Sequence, residues 1–315
     1  MSNWKIFRGD RTAHSVKTWP ETPPWRNFNQ KQGQKPTFQA NDEVINAVNM
    51  AIYLRRPLLV TGKPGTGKSS LARAISDELR LEPVLRWPIN TRTTLQEGLY
   101  YYDAIARLQD SQLKEEKLNI GKYIRLGPLG TAMYPSNQPR VLLIDEIDKS
   151  DIDLPNDLLN IFEEGYFEIK ELSRLKDNKE YQKVSVQTHD GATREVIEGR
   201  ITCQEFPIVI MTSNGERDFP LPFKRRCIQL YIKEPQKSEL TNIVKAHLGE
   251  ELTQEIEAQI QDFINKREQG PLATDQLLNV VFMLMGGKDK PKPSEEEKKA
   301  IIKRLMAYLN TTGDQ

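Results

Sequence analysis

The octapeptide GKPGTGKS at 62–69 constrains this chain more than any other stretch. A GxxxxGK[ST] loop works only between a buried strand and the start of a helix, so it dictates what must flank it. PLLVT at 57–61 is short, apolar and bounded by turn residues, as a buried parallel strand should be. SSLARAISDELRL at 69–81 carries Leu71, Ile75 and Leu79 at helical spacing, and Pro83 leads into a second strand at 84–90. Strand, loop, helix and strand make the βαβ unit of a parallel sheet.

Such a loop wraps phosphate because its glycines turn backbone amides inward, its lysine neutralises charge and its hydroxyl reaches a magnesium ion. Here Gly62, Gly65, Gly67, Lys68 and Ser69 take those roles, and Lys63, Pro64, Thr66 and Ser70 complete the phosphate-binding set. VLLIDEID at 141–148 is a third buried strand with Asp145 and Glu146 at its carboxyl end, beside the loop. With Ser69, Asp145 is the expected Mg2+ ligand, mostly through water, and Glu146 is the group expected to polarise an attacking water. Two acids after a strand can also be a solvated turn, so their weight comes from the phosphate loop.

FPIVIMTSN at 206–214 reads as a fourth strand ending in Asn214, whose amide could orient the water. Asparagine in that place also caps turns. CIQLYI at 227–232 reads as a fifth strand, directly preceded by Arg225 and Arg226. Arginines there suit neutralisation of transition-state charge, in the same subunit or in the next, or else form a basic surface turn.

The remaining pattern sets the domain organisation. Residues 1–40 are a basic, aromatic extension, 41–233 the nucleotide-binding α/β domain, and 234–315 a small all-helical domain. Val44, Ile45, Val48 and Ile52 share a helical face that Asn41 or Asp42 caps. Residues 93–109 read as a helix, 110–137 as an irregular, charged insertion, and 153–165 as a helix ended by Gly165. The segment 166–205 is polar and β-rich, with HDGAT as a hairpin turn. Past Pro235, Leu252, Ile256, Ile260, Phe263 and Ile264 form one helical face and Ile301, Leu305, Met306 and Leu309 another, with a helix over 274–285 between them. In the polar connection 286–299, Glu295 and Lys299 are spaced to pair.

Composition removes several classes. No apolar run approaches the ~18 residues of a membrane span, and the amino terminus MSNWKIFRGD does not read as a secretory signal, so a cytoplasmic address without membrane contact is expected. Cys203, Cys227, His14, His189 and His247 lack the spacing of disulfide scaffolds or zinc sites. The net charge of +1 gives the whole molecule no electrostatic pull toward nucleic acid. The extension differs: Lys5, Arg8, Arg11, Lys17, Arg26, Lys31 and Lys35 outnumber Asp10 and Glu21, with Trp4, Trp19 and Trp25 between them. It could contact RNA, DNA or a protein groove, or pack its tryptophans on the neighbouring core.

GKPGTGKS, LLIDEIDKS, IVIMTSNGERDFP and PFKRRC together resemble the AAA+ ATPases, in particular the MoxR-like branch, over roughly residues 36–285. The resemblance implies a three-layer αβα P-loop domain with a parallel sheet, a helical lid, ATP and Mg2+ as ligands, and a self-assembled ring, a hexamer. Each ATP would lie between subunits, with Arg225 or Arg226 acting in trans. Residues 93–137 look like the second-helix insertion of this branch, and 166–205 like its hairpin before the sensor strand, which commonly lines a pore or holds a client. The implied role is remodelling or maturation of a protein client, often with a partner carrying a von Willebrand factor A domain. The lid departs from the pattern: GPLATDQLLN offers Asp275 and Gln276 where an arginine is usual, with Lys266 or Arg267 as substitutes slightly earlier. Pro36 to Ala40 and Tyr53 to Arg56 would flank the base. A DNA-acting NTPase and a nucleotide-gated switch with little turnover are the alternatives.

Overall fold

Short apolar runs form the centre of the fold in a computed structural model that describes residues 4–7, 9, 11–16, 19–26, 38–112, 119–249, 253–285 and 293–307. The strands, in chain order, are β1 (Leu58–Thr61), β2 (Leu85–Pro88), β3 (Tyr100–Tyr102), β4 (Ile124–Leu126), β5 (Val141–Asp145), β6 (Tyr166–Glu168), β7 (Lys183–Gln187), β8 (Thr193–Ile197), β9 (Arg200–Thr202), β10 (Ile208–Ser213) and β11 (Ile228–Tyr231). Five of them make a wholly parallel sheet in the order β11-β1-β10-β5-β2. These are the five core strands expected from sequence, and β5 and β10 are buried at every position, as strands covered on both faces must be. Side chains such as Leu142, Ile144, Ile210 and Met211 are fully enclosed. Each contributes about 1.5–3 kcal/mol. Because all five strands run the same way, the carboxyl ends of β1, β5 and β10 meet at one edge, where crevices form.

The two segments read as separate insertions build one sheet. Six strands pair in the order β3-β4-β7-β8-β9-β6, and Tyr100, Ile124, Leu126, Phe167, Val184, Val186, Val196 and Ile201 join the same hydrophobic cluster as Trp87, Leu142 and Ile144 of the parallel sheet. The expected helix over 93–109 is corrected accordingly: Leu95–Leu99 is helical, β3 follows, and a second helix runs Ala104–Gln112. Asp103 caps that second helix, its Oδ1 accepting from Ala106 N–H at 2.8 Å. Three consecutive tyrosines favour an extended backbone, and pairing of Tyr100 with Leu126 overrides the helical pattern.

The irregular reading of 110–137 is corrected over 119–137, where β4 and the short helix Pro128–Ala132 form and Ile120, Leu126, Leu129 and Met133 are almost wholly buried, while 113–118 lie outside the described residues. The hairpin turn at HDGAT is present between β7 and β8, closed by Thr188 N–H to the Ala192 carbonyl at 2.8 Å. In the first helix, Asp42–Leu54, Asn41 is the cap, but the buried face is Val44, Ala47 and Ala51, and Ile45 is exposed.

The chain divides into two compact units: residues 40–62 and 67–232 form one, and the described parts of 1–39 with 63–66 and 233 onward form the other. The second is helical, with Lys237–Leu248, Gln254–Arg267, Thr274–Met285 and Glu295–Leu305. Ile256, Ile260, Phe263 and Met306 are buried there as expected, around Leu277 and Val281. The helix Lys237–Leu248, which contributes Leu240 and Val244, went unread in the sequence. Trp25 packs edge-on against Phe282 and His247, with ring centroids 5.7 and 6.2 Å away, while Trp19 is exposed. Glu295 pairs with Lys298 at 2.9 Å, not with Lys299 as its spacing suggested. Arg8, Asp10, Lys17, Lys31, Lys35, Pro36, Leu252 and Leu309 lie outside the described residues. Among the described residues no helix is long and apolar enough to cross a membrane.

Candidate active site

The phosphate loop leaves β1 at Thr61 and ends where the helix Lys68–Glu78 begins. Gly62, Gly65 and Gly67 all have positive φ, at 151°, 75° and 86°. That backbone belongs to glycine and turns successive amides toward one side. Gly65 has a second constraint, because a Cβ there would lie 2.5 Å from the Ala273 Cβ. Lys68 is buried, and its Nζ donates to the Gly62 carbonyl at 2.7 Å. Burial holds its pKa below the usual lysine value, against the upward pull of Asp148, Asp145 and Glu146. Its bond to the Gly62 carbonyl holds the side chain against the loop.

Asp145 ends β5 and is the hub of the site. Its Oδ1 accepts from Ser69 Oγ at 2.7 Å and from Thr212 Oγ1 at 2.8 Å, and its Oδ2 accepts from an Arg86 guanidinium nitrogen at 2.6 Å. Burial pushes this carboxyl up, but the hydrogen bonds from Ser69, Thr212 and Arg86 outweigh it and leave the pKa below the ordinary carboxylate value. Thr212 also accepts from the Glu146 N–H at 2.9 Å, so one hydroxyl, buried on the strand next to β5, fixes both acids. Glu146 has a left-handed backbone, φ 63° and ψ 50°. A non-glycine residue held there costs energy. Its side chain is half-exposed and pairs with Lys149 at 2.9 Å.

Asn214 follows β10, and its N–H donates to Asp148 Oδ2 at 2.9 Å, as the Glu216 N–H does at 3.1 Å. Asp148 is buried and ties the turn after β10 to the turn after β5. Ser69, Lys68, Asp145, Glu146 and Asn214 are thereby gathered by three adjacent parallel strands. Residues 57–227 match the family described as the AAA domain (dynein-related subfamily).

The chain belongs to that family. The AAA domain is a nucleotide-binding fold whose general activity is ATP binding and hydrolysis, and the match begins just before β1 and ends just before β11. No curated protein matches the chain. Within this AAA domain, Arg225 and Arg226 end the short helix Leu221–Arg226 and are both exposed. Arg226 pairs with Glu163, and the Arg225 backbone carbonyl accepts from Arg56. Neither guanidinium bonds to the phosphate loop or to Asp145 among the described residues.

Three participants were not singled out in the sequence: Thr212, Arg86 and Asp148. Asp148 lay inside the acidic motif and Thr212 inside MTSN, so position in a strand-end motif was their only signal. Arg86 had none, since its neighbour arises from β2 pairing with β5. In the helical unit, Gln276 is committed to internal bonds, donating to the Leu305 and Ala307 carbonyls and accepting from Ala273 N–H. Lys266 pairs with Asp262, and Arg267 lies against the Pro235 carbonyl and the Phe263 ring.

Proposed function

We propose that this AAA domain protein is a MoxR-type ATPase, which hydrolyses Mg-ATP at subunit interfaces of a ring and uses the cycle to remodel or mature a protein client. The observation that carries the catalytic part is the hydrogen-bonded chain Ser69–Asp145–Thr212–Glu146, which holds a metal-type donor set and a candidate base on one frame. The donors fit a hard divalent ion: an alcohol and a depressed-pKa carboxylate, both oxygen ligands. Bound there, Mg2+ would neutralise phosphate charge developing in the transition state.

In this reading Lys68 and the glycine amides hold the phosphates, with Lys63, Pro64, Thr66 and Ser70 shaping the loop. Ser69 would hold the metal by its hydroxyl and Asp145 mostly through water. Glu146 takes a proton from the attacking water, for which it must leave Lys149, and Asn214 orients that water from the end of the adjacent strand. Arg225 has no ion pair among the described residues, and Arg226 has one within its own subunit, so Arg225 is the favoured finger for the neighbouring site. We assign 1–40 as extension, 41–233 as nucleotide domain and 234–315 as lid. A partner with a von Willebrand factor A domain fits the branch, with a hexamer as the expected ring.

The test is steady-state phosphate release. Glu146→Gln should lose at least about a hundredfold in turnover while binding ATP as wild type does. Equal turnover in the two proteins would refute the hydrolysis assignment. Mixed Arg225→Ala and Lys68→Ala subunits should recover turnover that neither has alone, and no recovery at any ratio would count against a shared site.

A further inference from the structure

The Arg86 contact with Asp145 is unexplained by the activity above. Arg86 sits on β2, beside β5, and reaches the Asp145 Oδ2 at 2.6 Å. The Asp145 side chain is 8% exposed, whereas that of Arg86 is 65% exposed. Its other two donors, Ser69 and Thr212, are neutral hydroxyls that both use Oδ1. Arg86 is therefore the cation hydrogen-bonded to this buried carboxylate, on the oxygen the hydroxyls leave open. It has no second hydrogen bond or ion pair among the described residues, and its side chain lies largely in solvent, so its release breaks this one contact.

Resting on the reading of Ser69 and Asp145 as metal ligands, we propose that Arg86 is a stand-in counter-cation. It holds Asp145 in the metal-free site and gives way when Mg2+ arrives with nucleotide, and so raises the Mg2+ concentration the site requires. A divalent ion beside Asp145 brings both the charge and the water donors that Arg86 supplies, and the two cations repel across a few ångströms. An arginine that competes in this way guards Asp145 against sites loaded with ion but no phosphate.

The test is calorimetric titration of nucleotide into the full chain, first with a chelator present and then across a Mg2+ series. Arg86→Gln should lower the half-saturating Mg2+ concentration about 1.5-fold to fivefold, the range for an ion pair whose cation is largely in solvent, and leave chelated nucleotide affinity within about twofold. Arg86→Lys, which keeps the charge, should stay close to wild type. In an Asp145→Asn background, Arg86→Gln should have no effect on the midpoint. An unchanged or higher midpoint in Arg86→Gln would overturn the proposal, as would weaker chelated binding, which would make Arg86 a phosphate ligand. If wild type itself binds nucleotide equally with and without Mg2+, the metal reading fails and this proposal falls with it. A metal effect in wild type that Arg86→Gln leaves untouched overturns the proposal alone.

Discussion

Replacing Asp148 by alanine tests whether the turns after β5 and β10 act as one unit. Asp148 is 5% exposed, and its Oδ2 accepts from the Asn214 and Glu216 N–H groups at 2.9 and 3.1 Å. Bonds to a charged acceptor contribute about 1.5–3 kcal/mol each. Asn214 is half-buried and Glu216 exposed, so water recovers part of the loss and the lower end applies, about 3 kcal/mol for the two. For a unit of about 150–250 residues that is a fall in Tm of about 6–12 °C. Asp148→Asn keeps an acceptor and should lose about half as much. Urea unfolding of both variants measures this, and phosphate release at saturating ATP should fall about tenfold for the alanine variant as Asn214 loses its anchor. A stability loss under about 0.5 kcal/mol, within the range of ordinary surface substitutions, would refute the coupling of the two turns, as would equal loss for Asn and Ala.

Asp145 has a pKa below its ordinary value of 3.8 in the folded state, so its contribution to stability is full above that value and is lost as the pH falls through the depressed one. Urea unfolding below about pH 4 should therefore show a steeper acid limb for wild type than for Asp145→Asn. Burial pushes the Cys227 thiol up to about 12 and the Cys203 thiol up to about 11, which leaves little thiolate at pH 8. A disulfide reagent should react with the native protein at least about a hundredfold more slowly than with the urea-unfolded chain, and rapid labelling of the native protein would contradict the packing. Gly65→Ala should cost about 1–3 kcal/mol, from its φ of 75° and from the Cβ that would meet Ala273 at 2.5 Å. It should also weaken ATP binding, readable by calorimetry beside a thermal melt.

What the sequence determined by itself is whatever depends on neighbours along the chain. A buried parallel strand is a short apolar run, a phosphate loop is a fixed glycine spacing, and an acid directly after a strand must emerge at that strand's end. The five core strands, the loop and the acids at 145 and 146 were legible for that reason. Even the Asn41 cap follows from residues three positions apart.

Tertiary structure alone decided everything that depends on which strand lies beside which. Thr212 fixes both acids because β10 pairs with β5 in a register that sets Met211 against Ile144, and Arg86 reaches Asp145 because β2 flanks β5 on the other side. The tyrosines at 100–102 form a strand because Ile124–Leu126 is there to pair with, and two segments that read as separate insertions become one sheet over a shared core. A hydrogen bond between strands distant in sequence leaves no periodicity to read. The loop GKPGTGKS announced a phosphate, but the order of five strands chose the residues that stand around it.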